Sequence, residues 1–335
     1  MNLFNCTSPF WIAETACNHE GDFSYMLQLV ASLKKRGASA VKFHIMLDLD
    51  AYMVSSHPLY AAIEKWVFTE EQWHELFQFS RQIGLKIIGL VDEPRSIEFL
   101  KKENIDAYAI HATCINDLLM LKQLSTIQQP LFIGIGGAIP SEIQYAIEHL
   151  SPKENLILMY GIQSYPTPLS SIHLRKIPMY EKKLGLPVGY ADHTSSKDTM
   201  DRVLTYATVY GLGARIFEQH ITLDLSQKRI DDESAVEAKE LQHLITSINK
   251  TVAMCGPEQL FLTKEEKNYA RIRKTIVAAK ELTPGTIINE DALSFKRTHT
   301  PGDIELKDLA NLIGKKVLHK LKKDDSIHWK DVGDV

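Results

Sequence analysis

Short apolar runs alternate along the chain with longer stretches whose apolar positions return every three or four residues. The runs read as buried parallel strands, and the longer stretches as amphipathic helices. The first run opens Trp11–Asp22 (WIAETACNHEGD), which ends in polar residues and a glycine, followed by a helix pattern over Phe23–Arg36 with Asp22 as its N-cap. Further strands are expected at Ala40–Ile45 (AVKFHI), Lys86–Val91, Asp106–His111, Pro130–Gly136, Asn155–Gly161, Val188–His193 and Arg215–Ile221. Helices are expected at Thr69–Ile83, Arg95–Glu103, Asn116–Leu124, Pro140–Leu150, Ser171–Lys183, Lys197–Gly211 and Glu233–Cys255.

Eight strand–helix units close into a (β/α)8 barrel. A doubly wound open sheet is the competitor, but GIGGA at Gly134–Ala138 is too short to be a dinucleotide loop and reads as a tight turn. The texture then changes. The expected division is a barrel over 1–260, a linker over 261–270 and a small β-rich domain over 271–335, with strand-prone pieces at Thr275–Ala279 and Thr286–Ile288.

Bulk properties narrow the function without naming it. Net charge is −4 with both signs interspersed, which gives no basic surface for nucleic acid. No apolar run approaches the ~20 residues of a membrane helix, and the N-terminus lacks a signal-peptide pattern. Cys6, Cys17, Cys114 and Cys255 have neither metal-knuckle nor redox spacing and are expected to be reduced thiols of a cytoplasmic protein.

Barrel enzymes place their chemistry at the carboxyl ends of the strands. Those ends carry Asn18, His19 and Glu20, then Lys42 and His44, Gln163 and Tyr165, Asp192 and His193, and Glu218, His220 and Asp224. His193 and His220, on neighbouring strands and each near a carboxylate, suit one divalent cation with an open side. Lys42 lies in an apolar strand, where its charge is costly unless paired. Its partner is expected to be either Glu20 or the phosphate or carboxylate of a substrate.

Taken together, IAETACNHEGD, GASAVKF, YPTP, VGYADHT and FEQHITLD resemble the sialic acid synthase family. TIVAAKELTPGTIINEDALSFKR and NLIGKKVLHKLKKDDSI resemble the antifreeze-like (SAF, β-clip) domain fused to those synthases. The resemblance implies a TIM barrel followed by a SAF domain. It also implies condensation of phosphoenolpyruvate with an amino-sugar aldehyde to a 2-keto-3-deoxy sugar acid, with a divalent cation, commonly Mn2+ (Mg2+ or Co2+ as alternatives), and a homodimer with swapped SAF domains. By motif it implies His193 and His220 as metal ligands, Glu20 as the site glutamate and Lys42 as an anion-binding lysine; Glu20, Lys42 and Asp192 are the candidate catalytic groups. Gln163, Tyr165, Asp231 and Arg297 would bind substrate, Arg297 contacting the sugar's acyl group.

The chain departs from that family where its STPFD, KIGSGE and LSTGM motifs would fall. It reads GLVDEP, AIHATC and IGIGG there, so that Ala109, Ala112 and Cys114 replace lysine, serine and glutamate. Arg229-Ile230 replaces a Gly-Pro before Asp231, and Gln163 an asparagine. Alternative readings are another three-carbon partner or aldolase-like chemistry at the same site, or a non-catalytic sugar-binding paralogue. His111, Arg95 and Arg229 are candidates to compensate for the lost phosphate-binding groups.

Overall fold

The structure, a computed structural model, describes residues 8–150 and 153–335. Cys6 lies outside the described residues. The chain forms two compact units, divided between Gly256 and Pro257.

In the first unit eight parallel strands form one sheet: β1 (Phe10–Glu14), β2 (Ala40–Ile45), β3 (Lys86–Val91), β4 (Ala107–Ile110), β5 (Leu131–Gly134), β6 (Leu156–Tyr160), β7 (Val188–Asp192) and β8 (Ile216–Thr222). Each pairs with the next, and β1 also pairs with β8, so the sheet closes. This is the (β/α)8 barrel, not the open sheet. Both faces of the strands are covered, which is why they read as continuous apolar runs rather than alternating ones.

Alternate strand positions fill two separate cores. Ile12, Ala40, Ile88, Leu90, Ala107, Ala109, Phe132, Ile157, Met159, Ala191 and Ile216 pack together inside the barrel. Positions of opposite parity, such as Trp11, Val41, Phe43, Ile87, Tyr108, Tyr190 and Phe217, pack against the helices. The helices follow the expected pattern with trimmed ends, for example Glu70–Gln82, whose Thr69 and Gln72 form a capping box, and Ala238–Cys255.

Differences arise where backbone geometry overrides periodicity. The expected helix over 171–183 is two helices, Leu169–Ile172 and Lys176–Leu184, because His173 between them is left-handed (φ 49°). The helix after β1 stops at Ser32, with Lys35 and Gly37 both at positive φ. The connection after β2 carries short helices at Leu49–Tyr52 and Tyr60–Ile63 and a 3-10 turn at Glu64–Trp66, which periodicity does not reveal at that length. Within the stretch read as a linker, Lys264–Ala270 is helical.

The second unit is built from short antiparallel pairs, Thr275–Ala278 with Leu293–Lys296 and Lys316–Val317 with Val332–Gly333, over an apolar core that includes Ile276, Ile288, Leu312, Val317 and Ile327. The strand expected at 286–288 is reduced to a single bridge between Ile287 and Lys316. Among the described residues no helix is long and apolar enough to cross a membrane.

Barrel closure leaves no room for a side chain at Gly161, where a Cβ would lie 2.5 Å from the Ala191 carbonyl oxygen, whereas one at Gly211 would meet nothing within 4 Å. Gly161→Ala is expected to cost about 1–3 kcal/mol. Gly211→Ala, at the end of its helix, should be neutral or stabilising by up to about 1 kcal/mol. Urea unfolding of the two variants side by side checks both; equal stabilities would contradict this account of the barrel wall.

Candidate active site

In six of the eight strands the inward positions run from apolar to polar as the chain reaches the carboxyl end. Ile12 is followed by Glu14, Ala40 by Lys42 and His44, Leu90 by Asp92, Ala109 by His111, Ala191 by His193, and Ile216 by Glu218 and His220. Side chains two apart share a face, so these polar groups form a layer on top of the barrel core. Glu14, Cys17, His44, His111, Gln163, Tyr165, His193, Glu218, His220 and Asp231 are among the residues around a cavity of about 180 Å³.

At the floor Lys42 Nζ lies 2.6 Å from Glu14 Oε2 and 2.7 Å from Glu218 Oε1, with all three side chains buried. Register produces the contact: Glu14 is directly beside Lys42 across β1 and β2, and β8 flanks β1 on the other side. The Glu14 side chain also accepts from the Ala16 N–H at 2.7 Å. Glu218 Oε2 is buried without a hydrogen-bond partner. Glu20 is therefore not the partner of Lys42. It stands at the rim in a left-handed conformation (φ 48°), where its carboxylate accepts from the Ile230 N–H at 3.0 Å and lies 3.8 Å from Arg229. The turn through Gly21 carries Glu20 away from the floor.

His193 and His220 do converge, with ring centroids 5.0 Å apart. His193 Nδ1 lies 2.8 Å from the Ile162 carbonyl, so it donates its proton there and leaves Nε2 as a lone pair. His220 Nδ1 is buried with no hydrogen-bond partner. Burial pushes His193 down to about 4, and burial together with His193 holds His220 well below the ordinary histidine range. Both rings are thus neutral, with basic nitrogens available. Tyr165 covers them, its ring 4.8 Å from His193 and 5.7 Å from His220, and its hydroxyl donates to Gln163 Oε1 at 2.6 Å. Asp231 lies 3.9 Å from His220 Nδ1, its carboxyl raised to about 6 chiefly by burial.

Asp192 is not in this cavity. Its position has the outward parity, and its carboxylate accepts from the Tyr190 hydroxyl at 3.0 Å and the Thr194 hydroxyl at 2.7 Å within the helix-facing layer. Asn18 and His19 serve the rim: the Asn18 amide donates to the Ile230 carbonyl and His19 accepts from the Gly21 N–H. Asp224 caps its own loop by accepting from the Ser226 N–H. Of the three candidates for compensation, Arg95 pairs with Glu70 at the surface. Arg229 stacks 3.8 Å over the Tyr25 ring and donates to the Asn18 and His19 carbonyls. Only His111 faces the cavity. Arg297 belongs to the second unit, exposed immediately after Leu293–Lys296.

Comparison with known proteins decides the family. The NeuB family profile matches residues 29–259, and the SAF domain profile matches 273–333. The chain belongs to the NeuB family. Human N-acetylneuraminate-9-phosphate synthase is 25% identical over 333 residues, covering 95% of this chain and 91% of that protein. N,N'-diacetyllegionaminic acid synthase of Legionella pneumophila is 24% identical, covering 96% and 94%. Among solved structures, a putative spore coat polysaccharide biosynthesis protein E from Chromobacterium violaceum superposes with a TM-score of 0.86 at 19% identity, covering 97% of this chain and all of that one. That likeness shows the fold.

Within this NeuB-family chain, motif reasoning missed Glu14. A carboxylate in an apolar strand, two positions beyond a core isoleucine, was the available signal. Cys17, read only as a reduced thiol, also lines the cavity beside His44.

Two outcomes follow from the floor and the imidazoles. Lys42→Met leaves two buried carboxylates side by side and should cost about 3–5 kcal/mol at neutral pH. The loss should shrink at mildly acidic pH, where a proton can replace the lysine; urea titration at both pH values tests it. Because His193 is held neutral to about 4 while the unfolded chain takes up the same proton near 6.5, stability falls as pH drops through that window. For this one group the loss is about 2 kcal/mol between pH 7 and pH 5. Metal-free His193→Gln should therefore lose less urea stability than the parent over that range, and an unchanged slope would refute the assignment.

Proposed function

We propose that this chain is a sugar-acid synthase that joins the enol carbon of phosphoenolpyruvate to the aldehyde carbon of an amino-sugar, giving a 2-keto-3-deoxy sugar acid and phosphate. The carrying observation is the cavity that unites two neutral, solvent-shielded imidazoles with a buried lysine–carboxylate triad. The named activities of the relatives, sialic, legionaminic and pseudaminic acid synthases, support the same reading.

His193 and His220 fit a divalent ion, Mn2+ before Mg2+ or Co2+, because one nitrogen of each is basic and His193 is oriented by a carbonyl behind it. Among the described residues no three His, Cys, Asp or Glu side chains form a complete metal cage. The two imidazoles would therefore share the ion with water and substrate oxygens. The ion would polarise the aldehyde oxygen. Lys42, fixed between two carboxylates, is placed to give a proton to the oxygen that becomes the new hydroxyl. Glu218, with one oxygen unpartnered, is placed to take a proton from the water that attacks C2 as phosphate leaves. Tyr165, Gln163 and Asp231 line the side where the sugar would lie. We take Arg297 to be supplied by the SAF domain of a second copy in a swapped homodimer.

A second reading is favoured by one feature. The Lys42 charge is already balanced by two carboxylates, and Ala109, Ala112 and Gly134 add no cation or hydroxyl to the wall. Each missing charge-assisted hydrogen bond is worth roughly 1.5–3 kcal/mol, which favours a donor with less negative charge than phosphoenolpyruvate, such as pyruvate. Phosphate and product assays with each donor, Mn2+ and a panel of N-acetylated aldoses separate the two. Phosphoenolpyruvate-dependent phosphate release is expected, falling roughly a hundredfold or more in Glu218→Gln. Calorimetry should show Mn2+ binding abolished in folded His193→Ala and His220→Ala. Product from pyruvate alone would select the second reading, and retained Mn2+ binding in either variant would overturn the metal site.

A further inference from the structure

Beside the imidazole pair, the cavity wall carries a group that the condensation does not use. Cys17 Sγ lies 3.7 Å from His44 Nδ1. The other ring nitrogen of His44, Nε2, is bonded to the Asp92 carboxylate, whose side chain is fully buried. Asp92 is itself held by the Cys114 thiol, which donates toward its Oδ1 at 3.7 Å. Cys17 and His44 both line the cavity, and His111 stacks beside His44 with ring centroids 6.2 Å apart. A thiol facing one imidazole nitrogen while a carboxylate holds the other is the arrangement by which a cysteine is activated as a nucleophile.

We propose that Cys17, His44 and Asp92 form a second catalytic group on the wall of this cavity, in which the Cys17 thiol takes the acyl group of a small ester or thioester. With the shared proton on His44 Nδ1, the Cys17 thiolate attacks the acyl carbon. A carbon–sulfur bond forms as the bond from the acyl carbon to the leaving oxygen or sulfur breaks, and His44 returns the proton to the leaving alcohol or thiol. Water then attacks the acyl-cysteine with His44 as base, releasing a carboxylic acid and restoring the thiol. Asp92 is a positioning residue that fixes the ring and stabilises its cationic form.

The electrostatics agree with this geometry. Burial opposes a charge on His44, yet Asp92 and then Cys17 hold it protonated well above the ordinary histidine range. Asp92 is kept below the ordinary carboxylate range against its burial, with His44 the chief cause. Cys114, by contrast, is pushed up to about 12 by burial and Asp92 and is inert. Cys255 is exposed at the end of its helix and serves as an internal control. Neither the His193–His220 pair nor Lys42 takes part, so the activity is read separately from condensation.

The test uses the full chain, without added metal, and p-nitrophenyl acetate. The expected result is a burst of one nitrophenolate per chain, with an acetyl group found on the Cys17 peptide by mass spectrometry. Cys17→Ser should abolish the burst, and His44→Gln should slow it roughly a hundredfold or more. Alkylation by iodoacetamide followed against pH keeps the proposal testable if a variant folds poorly. Cys17 of the parent should be alkylated faster than Cys255 across the pH range, and Asp92→Asn should reduce that advantage. The groups facing His44 in this profile are Asp92, Cys17, His111, His19, Tyr52, Asp231 and His220. Acetylation confined to Cys255, a burst that survives Cys17→Ser, or a Cys17 profile matching that of Cys255 would overturn the proposal.

Discussion

A lysine held between two glutamates inside a closed barrel is the constraint on which the site depends. Lys42, Glu14 and Glu218 come from three strands that are neighbours only because β1 pairs with both β2 and β8. None of the three charges would be tolerable there alone, since desolvation of a single ion costs several kcal/mol. Together they carry one net negative charge at the bottom of a small cavity. That charge sets what can bind above them: a cation suits the floor, and an anionic donor needs a cation between its charge and the two carboxylates.

The mouth is organised by a different set of contacts. Arg229 covers Tyr25 and bonds the Asn18 and His19 carbonyls, Glu20 and Asn18 bond the backbone at Ile230, and the loop after β1 is thereby tied to the loop after β8. Gly21 lies at φ 87°, and a Cβ there would fall 2.2 Å from the Lys65 carbonyl oxygen. This close approach seats the turn at Glu64–Trp66 against the loop after β1 and places Trp66 on the cavity wall. The polar cluster NHEGD is thus mainly the clamp that holds Glu14, Cys17 and the loop carrying Asp231 in register.

The cavity has two unlike walls. One carries His193, His220, Tyr165 and Asp231, which lie in or beside the stretches that resemble the sialic acid synthases, with Gln163 among them. The other carries Cys17 and His44, which lie in or beside resembling stretches, backed by Asp92 and flanked by His111, which lie in GLVDEP and AIHATC, where the chain departs from them. The imidazoles of the first wall are neutral because burial is uncompensated, while His44 on the second is charged because a buried carboxylate faces it. The same residue type thus serves as a neutral donor of a lone pair on one side and as a cation on the other, and only its neighbours decide which.

The sequence by itself determined the barrel, the eight strands nearly to the residue, the change of texture near the second unit and the convergence of His193 with His220. Each rests on local periodicity or on a motif whose residues are close in the chain. It did not determine which carboxylates meet Lys42. Glu14, Glu20 and Glu218 are equally acidic on paper, and strand parity with barrel closure selects the first and third while a left-handed turn carries the second to the rim. Asp192 shows the same limit in reverse: one position from His193, it faces the opposite layer because neighbours in a strand point to opposite faces. Cys17, His44 and Asp92 lie on three consecutive strand ends, and nothing in their spacing announces a contact. The tertiary structure brought them together because inward positions of adjacent parallel strands lie side by side at one height of the barrel.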